Sequence, residues 1–553
     1  MPSRTGHAVF LLSLSPSLIL LAPGCMDAGT FPSPPDAPPD LAVAGRPVAD
    51  GADMASPPAH ADLALPSPDP TPAADMATPP QPPQPVHGLV ATTVWPPSGP
   101  AHSFVTVSGS GFQQGDTVVI SGANLPQTSL STITLTASAI VAELPALNVA
   151  LPSSVAVQVS RAGALAPQAG LPFKVTSGRV FTIASNGSDG AAGTMGSPWA
   201  TISGALSKMA PGDVAYVRGG TYAHSVNTSV SGTANAPITI AGHPGETALV
   251  TNSSSNTLDV KGSYLTFDNL HITDTASAIA VAFERGATNI VMSNCEVYGS
   301  VNSGIVLSSS QSLLYRNTIH DNGTRNALDH GVYLEGDHNV LRSNTFYDNA
   351  SMGIQIYNGH TDANGTPYAT GSNIIEYNYF YHNGWTGSYD SRAIWNADVY
   401  VGAGNTSDNV VRYNRMCGNH YAMFIWGKPT GTQIESNVSC DQGSGGFYMY
   451  DAGAGTSLKG NVSYDEGGSS LLLIPGVTSD DNVAWKSGGT PTFSWNDSAM
   501  SLTAYQAASG QDRNTRIADP RFTNAPAGSF DIAKAATYDF CTTMIPQLCA
   551  PLP

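Results

Sequence analysis

The sequence predicts an all-β protein, in which a parallel β-solenoid follows a small antiparallel β-sandwich and a disordered Pro-rich linker. Three observations lead to this prediction. The chain has 553 residues with 56 Gly, 41 Pro and only 11% charged residues, a composition that argues against helix bundles and coiled coils. Short alternating segments separated by Gly and Pro occupy the region before residue 176. After it, a phrase centred on Asn recurs about every 25 residues, as in a solenoid.

The charge balance excludes one class of partner. The chain has 22 Lys and Arg against 40 Asp and Glu, a net charge of −18, and it has no cluster of basic residues. Such a surface repels phosphate backbones, so we expect no nucleic-acid binding.

Residues 1–25 have the pattern of an export signal. Arg4 and His7 precede an apolar run at 8–22, which is too short to span a membrane. The segment ending in Pro23-Gly24-Cys25 resembles the lipobox of bacterial lipoproteins, which implies lipidation of Cys25. Leu21 lies one place early and Pro precedes the Gly, so ordinary secretion stays an alternative. Either way we expect an exported protein, at the cell surface, as an outer-membrane lipoprotein, or secreted.

Residues 26–87 form a low-complexity segment rich in Pro, Ala and Asp. Such a composition cannot bury a core, so we expect a disordered, solvated tether. At ~3.1 Å per residue it could extend on the order of 190 Å.

Residues 88–175 alternate in short runs that indicate an antiparallel β-sandwich. The candidate strands lie at 104–107, 117–120, 131–135 and 155–159. The phrases at 105–109, 111–112 and 142–145 resemble the IPT/TIG immunoglobulin-like family, which implies a spacer or binding module. We interpret Phe112 as a core residue.

Residues 176–495 carry the repeat. One Asn per recurrence is found at Asn269, Asn294, Asn317, Asn344, Asn378, Asn414, Asn437, Asn461 and Asn482, and a second series at Asn322, Asn349, Asn383 and Asn419. Stacked side-chain amides can hydrogen-bond along the axis at the ~4.8 Å strand spacing. We therefore predict an amide ladder at a corner of the coil.

The ends of the solenoid are predicted to be capped. Ser197 as N-cap and Pro198 at the first helical position begin a short amphipathic helix that ends before Gly212. This helix would shield the edge of the first coil. Residues 496–553 are assigned to a C-terminal cap or tail.

The phrases at 217–222 and 330–335 resemble the right-handed parallel β-helix of the pectin lyase-like superfamily, over about 180–495. The resemblance implies a polysaccharide as partner and specifies the fold more than the reaction.

Aligning one strand per coil places apolar residues inward and a row of aromatic residues outward. The outward columns are Tyr333, Trp395, Phe424 and Tyr448, and Glu335, Tyr357, Trp426 and Tyr450. Exposed aromatic rows bind a partner or are covered, and aromatic rings stack on the C–H faces of sugars. We predict that Tyr357, Trp395, Phe424, Trp426, Tyr448 and Tyr450 bind substrate. The alternative is that the insertions at 359–372 and 384–392 cover the row.

Ionisable residues flank this row and suit a lyase of acidic polysaccharides. Such a lyase needs a cation for the uronate carboxylate, a base for the C5 proton and an acid for the leaving oxygen. Arg392 is the candidate cation, and His330, Lys428 and Tyr333 are candidate bases or acids. Glu335 and Asp337 are candidate Ca²⁺ ligands. A hydrolase needs paired carboxylates, and no adjacent Asp pair accompanies His330, so elimination ranks above hydrolysis.

The cysteines suggest two disulfides. Cys417 and Cys440 follow their ladder Asn by three residues in neighbouring coils, which puts them within bonding range. Cys541 and Cys549 are expected to close a C-terminal loop, whereas Cys295 is expected to be buried.

Two functional hypotheses result. The first is an exported, surface-anchored enzyme, a monomer that cleaves an acidic polysaccharide by β-elimination. The second is a non-catalytic glycan-binding or adhesion protein on a stalk.

Overall fold

The computed structural model describes residues 88–520 except 277, 324–328, 358–359, 362–364, 366–367, 369, 385–396 and 403–405. The predictions for Cys25, Arg392, Trp395, Cys541 and Cys549 lie outside the described residues, as do the predicted signal and linker. No helix among the described residues is long and apolar enough to cross a membrane.

The described chain confirms the all-β class and begins with a two-sheet sandwich. One sheet contains, in spatial order, Val90–Trp95, Phe104–Ser110, Ala139–Glu143 and Ser131–Leu135. The other contains Ser98–Gly99, Leu171–Val175, Ser153–Arg161, Thr117–Gly122 and Leu125–Ser129, with Ala164–Leu165 beside Ser153–Arg161. Phe112 is 4% exposed in the core between the sheets, as its position after Gly111 predicts.

Three long sheets then build the solenoid, each with twelve strands among the described residues. The first contains Val180–Ile183, Val214–Val217, Ile238–Gly242, Leu265–Asp268, Val291–Ser293, Leu313–Tyr315, Val340–Arg342, Ile374–Glu376, Val410–Arg412, Gln433–Glu435, Ser457–Lys459 and Thr478–Asp480. The second contains Gly220–Ala223, Ala248–Asn252, His271–Asp274, Glu296–Tyr298, Thr318–His320, Thr345–Tyr347, Tyr379–Tyr381, Arg415–Cys417, Val438–Cys440, Val462–Tyr464, Val483–Trp485 and Arg516–Ile517. The third contains Val226–Thr228, Leu258–Val260, Val281–Phe283, Ile305–Leu307, Val332–Leu334, Ile354–Ile356, Ala397–Gly402, Tyr421–Trp426, Gly445–Met449, Ser469–Leu473, Phe493–Trp495 and Ser498–Met500. The pairing is parallel except for the last strand of the third sheet. Thr370–Gly371 and Thr406–Ser407 form a separate parallel pair.

The predicted amide ladder stands at the corner between the first and second sheets. Each side-chain Nδ2 donates to the Oδ1 of the next coil at 3.0–3.2 Å, through Asn317, Asn344, Asn378, Asn414, Asn437, Asn461 and Asn482. Asn269 and Asn294 were wrongly included. They occupy the preceding left-handed position (φ 52° and 51°), and Leu270 and Cys295 take the ladder position. Asn suits both positions of this corner, so its identity alone does not separate them.

Two further ladders support the other corners. Asn322, Asn349 and Asn383 stack as predicted, and the series then meets the carboxyl of Asp398, to which Asn383 and Asn419 both donate. A third series, Asn339, Asn373 and Asn409, precedes strands of the first sheet and was missed by the sequence reasoning.

Helices cap both ends of the solenoid core. The first is Ile202–Leu206, with Thr201 as its N-cap rather than Ser197. The Asp189 carboxylate accepts hydrogen bonds from the Ala200 and Thr201 N–H groups, which fixes the start of the helix there. The second helix, Leu502–Ser509, ends at Gly510 in a left-handed conformation and seals the last coil with the buried Tyr505.

The sandwich packs directly on the first sheet of the solenoid. The Phe104 ring lies 4.6 Å from that of Tyr216, and the Phe104 N–H donates to the Tyr216 hydroxyl at 2.7 Å. Trp95 donates its Nε1–H to Asp268 at 3.1 Å and packs against Tyr315. The two domains therefore share a specific, partly apolar junction.

Candidate functional site

The outward side chains of the third sheet, called the third-sheet face below, form two columns. The first column consists of residues aligned by strand register, namely Asn227, Asp259, Ala282, Val306, Tyr333, Gln355, Tyr400, Phe424, Tyr448 and Leu472. The second column lies two residues further along each strand and consists of Lys261, Glu284, Ser308, Glu335, Tyr357, Gly402, Trp426 and Tyr450. Parallel register thus brings residues from eight or more coils onto one surface.

The sequence alignment was wrong in one coil. It assigned Trp395 to the first column, but the strand there is Ala397–Gly402, and Tyr400 pairs with Phe424. The same apolar alternation occurs around both candidates, so periodicity could not choose between them. Gly402 takes the second column, and a Cβ there would meet the Tyr400 ring at 2.3 Å.

The C-terminal part of the face, called the aromatic half, comprises Tyr400, Tyr421, Phe424, Trp426, Tyr448 and Tyr450. Tyr400 and Phe424 are 3% and 2% exposed, so they support the surface and do not present a ring to solvent. This corrects the prediction that Phe424 contacts a ligand. Trp426, Tyr448 and Tyr450 are half-buried and pack around Phe424, with the Tyr448 ring 5.1 Å away and perpendicular to it.

The N-terminal part, called the ionic half, comprises Asp259, Lys261, Glu284, Arg285, Glu335 and His360. Glu335 is 5% exposed and holds three groups. Its carboxylate accepts from the Ser308 hydroxyl at 2.5 Å and lies 2.8 Å from His360 Nε2 and 3.6 Å from Arg285. The Arg285 guanidinium also stacks over the Tyr368 ring at 3.8 Å. These contacts join residues from four separate segments of the chain.

Tyr333 and Tyr357 lie where the two halves meet, with ring centroids 6.4 Å apart. Burial raises the pKa of Tyr333 well above its ordinary value, and the negative charge of Glu335 adds to the effect. The phenol therefore keeps its proton at neutral pH and can donate it.

A carboxyl pair lies at the far end of the ionic half. Burial and the neighbouring Asp259 raise the pKa of Glu284. Asp259 in turn accepts hydrogen bonds from Asn227 and Lys261, both at 3.0 Å. The pair is assembled from adjacent coils, so a search for neighbouring acidic residues along the chain missed it.

With this geometry established, comparison with known proteins identifies the solenoid. The family described as Pel9A-like, right handed beta helix region matches residues 181–473, more than half of the 553 residues. The chain belongs to this family. The IPT/TIG domain family matches residues 89–175, which confirms the resemblance of the sandwich.

Individual relatives match the chain more distantly. Pectate lyase PEL9 of Emericella nidulans is 37% identical over 70 residues, which are 12% of this chain and 17% of that protein. The chain thus spans only about a sixth of the curated relative that it matches. Among solved structures, pectate lyase Pel9A has a TM-score of 0.44 at 16% identity, covering 63% of this chain and 83% of that one. An alginate lyase from Paenibacillus sp. str. FPU-7 has a TM-score of 0.38 at 19% identity, covering 57% and 95%.

Two of the predicted catalytic residues are not placed to act together in the Pel9A-like region. His330 is 1% exposed and accepts the Met352 N–H on Nδ1 at 3.4 Å. Burial lowers the pKa of His330 to about 3, so its ring is neutral and lies buried beneath the third-sheet face. Lys428 is exposed in a left-handed turn three coils away, about 14 Å along the axis at ~4.8 Å per strand. As candidate base and acid of a single site, His330 and Lys428 are therefore wrong.

The predicted Ca²⁺ ligands are each engaged with other groups. Glu335 is surrounded by Ser308, Arg285 and His360, as above. Asp337 accepts from Ser310 and from His338 at 2.9 Å, and these hydrogen bonds lower the pKa of its carboxyl despite the opposing effect of burial. Within the described ranges no three His, Cys, Asp or Glu side chains are grouped so that they could hold a metal ion. Among the described residues, Glu335 and Asp337 thus have other partners, and the catalytic roles proposed below need no Ca²⁺.

The disulfide between Cys417 and Cys440 is present, with Cα atoms 4.6 Å apart on neighbouring strands of the second sheet. Cys295 is buried and forms no disulfide, as expected. The bridge lies on a different sheet from the third-sheet face, so its role is to tie two coils together.

Proposed function

We propose that this chain acts on polysaccharide and that its third-sheet face cleaves an acidic polysaccharide by β-elimination. The observation that carries the proposal is the Glu335 cluster, which holds Arg285 and His360 beside the protonated Tyr333 on an outward surface lined with aromatic rings. Membership of the Pel9A-like family supports the same substrate class.

The residues of the cluster take complementary roles. The Arg285 guanidinium pairs with the carboxylate of a uronate unit, which acidifies the adjacent C5–H bond. His360 is half-exposed and accepts the C5 proton, with Glu335 orienting its ring and stabilising the imidazolium that forms. The electrons of the C5–H bond form the C4–C5 double bond as the C4–O bond breaks. The Tyr333 hydroxyl protonates the leaving oxygen. His360 takes the role predicted for the buried His330, and Arg285 takes the role predicted for Arg392, which lies outside the described residues.

The test is to incubate the full chain with a panel of uronate polymers and to follow the ultraviolet absorbance of the unsaturated product. We expect Arg285→Ala, His360→Ala and Tyr333→Phe each to lower kcat/KM by about 10²–10⁴-fold. His338→Ala is the matched control, because His338 lies in the same coil as Glu335 but pairs with Asp337. Product formation that survives all three substitutions would remove the cluster from the mechanism.

A non-catalytic glycan-binding protein is the second candidate. The aromatic half favours it, because stacking on sugars requires no reactive group. Absence of product from every polymer, with binding retained, would leave this candidate alone.

Export and surface anchoring complete the proposal, on the strength of the pattern in residues 1–25. Cys25→Ser is expected to release the protein from the membrane fraction, whereas an unchanged distribution would argue for ordinary secretion.

A further inference from the structure

A cavity lies at the junction between the sandwich and the first sheet of the solenoid, on a different sheet from the third-sheet face. Its volume is about 210 Å³, and three aromatic side chains line it, namely Trp95 and Phe104 from the sandwich and Tyr216 from the solenoid. The Trp95 and Phe104 side chains stay partly exposed even though both contact the solenoid. The two domains therefore leave a space between them whose walls include aromatic rings from both sides.

Hydrogen-bond acceptors of the solenoid line the same cavity. Asp268 accepts three donors, of which the Trp95 indole at 3.1 Å is one, and all three reach Oδ1. Asn269 and Asn294 also line the cavity, and the Nδ2 group of each donates to an acceptor of the protein. Among the described residues no donor reaches Asp268 Oδ2 or the Oδ1 atom of either amide. Three acceptor oxygens can therefore serve a molecule in the cavity.

This lining fits one sugar ring. The hydroxyl groups of a sugar supply the donors that carboxylate and amide oxygens accept, and its C–H faces pack on aromatic rings. Apolar walls with a few convergent polar groups are the usual lining of a small-molecule site. An apolar cavity of about 150 Å³ holds a benzene ring. The larger volume here admits a six-membered ring with its hydroxyls but not two linked sugars.

The charges on the wall favour a neutral ring. Among the described residues that line the cavity, Asp268 carries the one carboxyl and Arg316 the one guanidinium. A uronate attracted by Arg316 would also approach Asp268, and a cation attracted by Asp268 would approach Arg316. A neutral hexose donates its hydroxyls to the same oxygens without either repulsion.

We propose that the junction cavity is a carbohydrate site that binds one neutral hexose unit, its C–H face against the aromatic wall and its hydroxyls on Asp268 and Asn269. The site is independent of the proposed elimination, because none of the residues given a role in that reaction lines this cavity. Since both domains line it, a bound hexose contacts the sandwich and the solenoid together.

Calorimetric titration of the full chain tests the proposal. The probes are D-glucose and D-galactose, with D-glucuronate and D-galacturonate as their charged counterparts. We expect at least one of the two hexoses to bind with a stoichiometry of one per chain and at least tenfold more tightly than its own uronate.

Two substitutions locate the bound hexose. Asp268→Asn keeps the shape of the side chain, but with the amide oxygen beneath the three donors its Nδ2 takes the place of Oδ2, so that a donor replaces an acceptor. Ala241→Leu enlarges a buried side chain that lines the cavity and fills part of the space. Each should weaken binding at least tenfold. Ala223→Leu is the matched control, because Ala223 is exposed on the second sheet, and it should leave the affinity unchanged.

Failure of both D-glucose and D-galactose to bind overturns the proposal, as does equal or tighter binding of the uronates. Binding that Asp268→Asn and Ala241→Leu both leave unchanged would place the hexose elsewhere and overturns it as well. If circular dichroism shows that Ala241→Leu does not fold, Asp268→Asn alone decides. Unsaturated product from uronate polymers, or its absence, bears only on the third-sheet face.

Discussion

Two carboxyl side chains are buried at the corner between the second and third sheets, where the second amide ladder runs. Asp398 accepts from Asn383, Asn419 and Gln442, and Glu466 accepts from the Gln442 N–H at 2.8 Å and from the Ser463 hydroxyl at 3.2 Å. Burial raises the pKa of Asp398 to about 7 and that of Glu466 to about 8, and the hydrogen bonds offset it only in part. Both carboxyls therefore hold a proton across much of the acidic range.

These pKa values give the free energy of unfolding a pH dependence of known sign. Above about pH 4 the unfolded carboxyls lose their protons while the folded ones keep them, so their contribution is greatest below pH 4. It declines as the pH rises to about 7–8, where the folded groups also ionise. We expect Glu466→Gln to reduce the decline between pH 5 and pH 8 by on the order of 2 kcal/mol.

Urea unfolding at the two pH values measures this difference. Asp481→Asn provides the control, because the Asp481 side chain, at the corner between the first and second sheets, is 48% exposed. If Glu466→Gln and the wild type lose equal stability between pH 5 and pH 8, Glu466 is not protonated in the folded protein.

At the scale of the element, the first sheet carries an ion ladder on its outward side. Register places Arg342, Glu376, Arg412, Glu435, Lys459 and Asp480 on successive strands. Glu376 is 1% exposed and accepts Nε–H donors from Arg342 at 2.6 Å and from Arg412 at 2.7 Å. Opposite charges on neighbouring strands stabilise this pairing, and a slip by one residue would separate them.

Glu376→Gln should destabilise the solenoid by about 1–3 kcal/mol, because it leaves two guanidinium groups facing a neutral amide. The denaturation midpoint of the full chain, compared at low and high salt, reports the effect, and salt should diminish it. Glu435→Gln is the matched control from two strands further along the same sheet, where the carboxylate is half-buried. A midpoint equal to that of the control would mean that the pair contributes nothing.

At the scale of the whole molecule, the junction between sandwich and solenoid couples two domains. Phe104 contacts both Tyr216 and His243, with ring centroids 4.6 and 5.1 Å away. The Trp95 indole supplies one of three donors to Asp268, whose pKa is raised by burial and held down by those hydrogen bonds. Such a junction favours unfolding of the two domains together.

Phe104→Ala is expected to split the calorimetric unfolding of the full chain into two transitions, with the sandwich unfolding first. The physical reason is the loss of the apolar contact that the Phe104 ring makes with Tyr216 and His243. Ile133→Ala, which removes a 40% exposed side chain from the same domain, should keep the wild-type profile. One transition in both variants would show that the contact is not what couples the domains.

The predictability of the fold and of the site differs from residue to residue. Asn344, Asn378 and Asn414 were identified from the sequence because each lies in the same local phrase. The Cys417–Cys440 bridge was identified because both cysteines hold the same place in neighbouring phrases. Asn294 was misassigned by one residue, since the left-handed corner also suits Asn. Tyr400 was missed because an insertion precedes its strand, and the sequence pattern does not show at which residue the strand begins.

The sequence by itself determined that the chain winds into coils, because an amide ladder, apolar alternation and parallel pairing are requirements that every coil repeats locally. Only the tertiary structure decided which residues form the site. Arg285, Glu335 and His360 come from different segments, and strand register alone brings them within hydrogen-bonding distance. Burial, which removes His330 from the surface and raises the pKa of Tyr333, is likewise a property of the packed coils and has no signature in the order of residues.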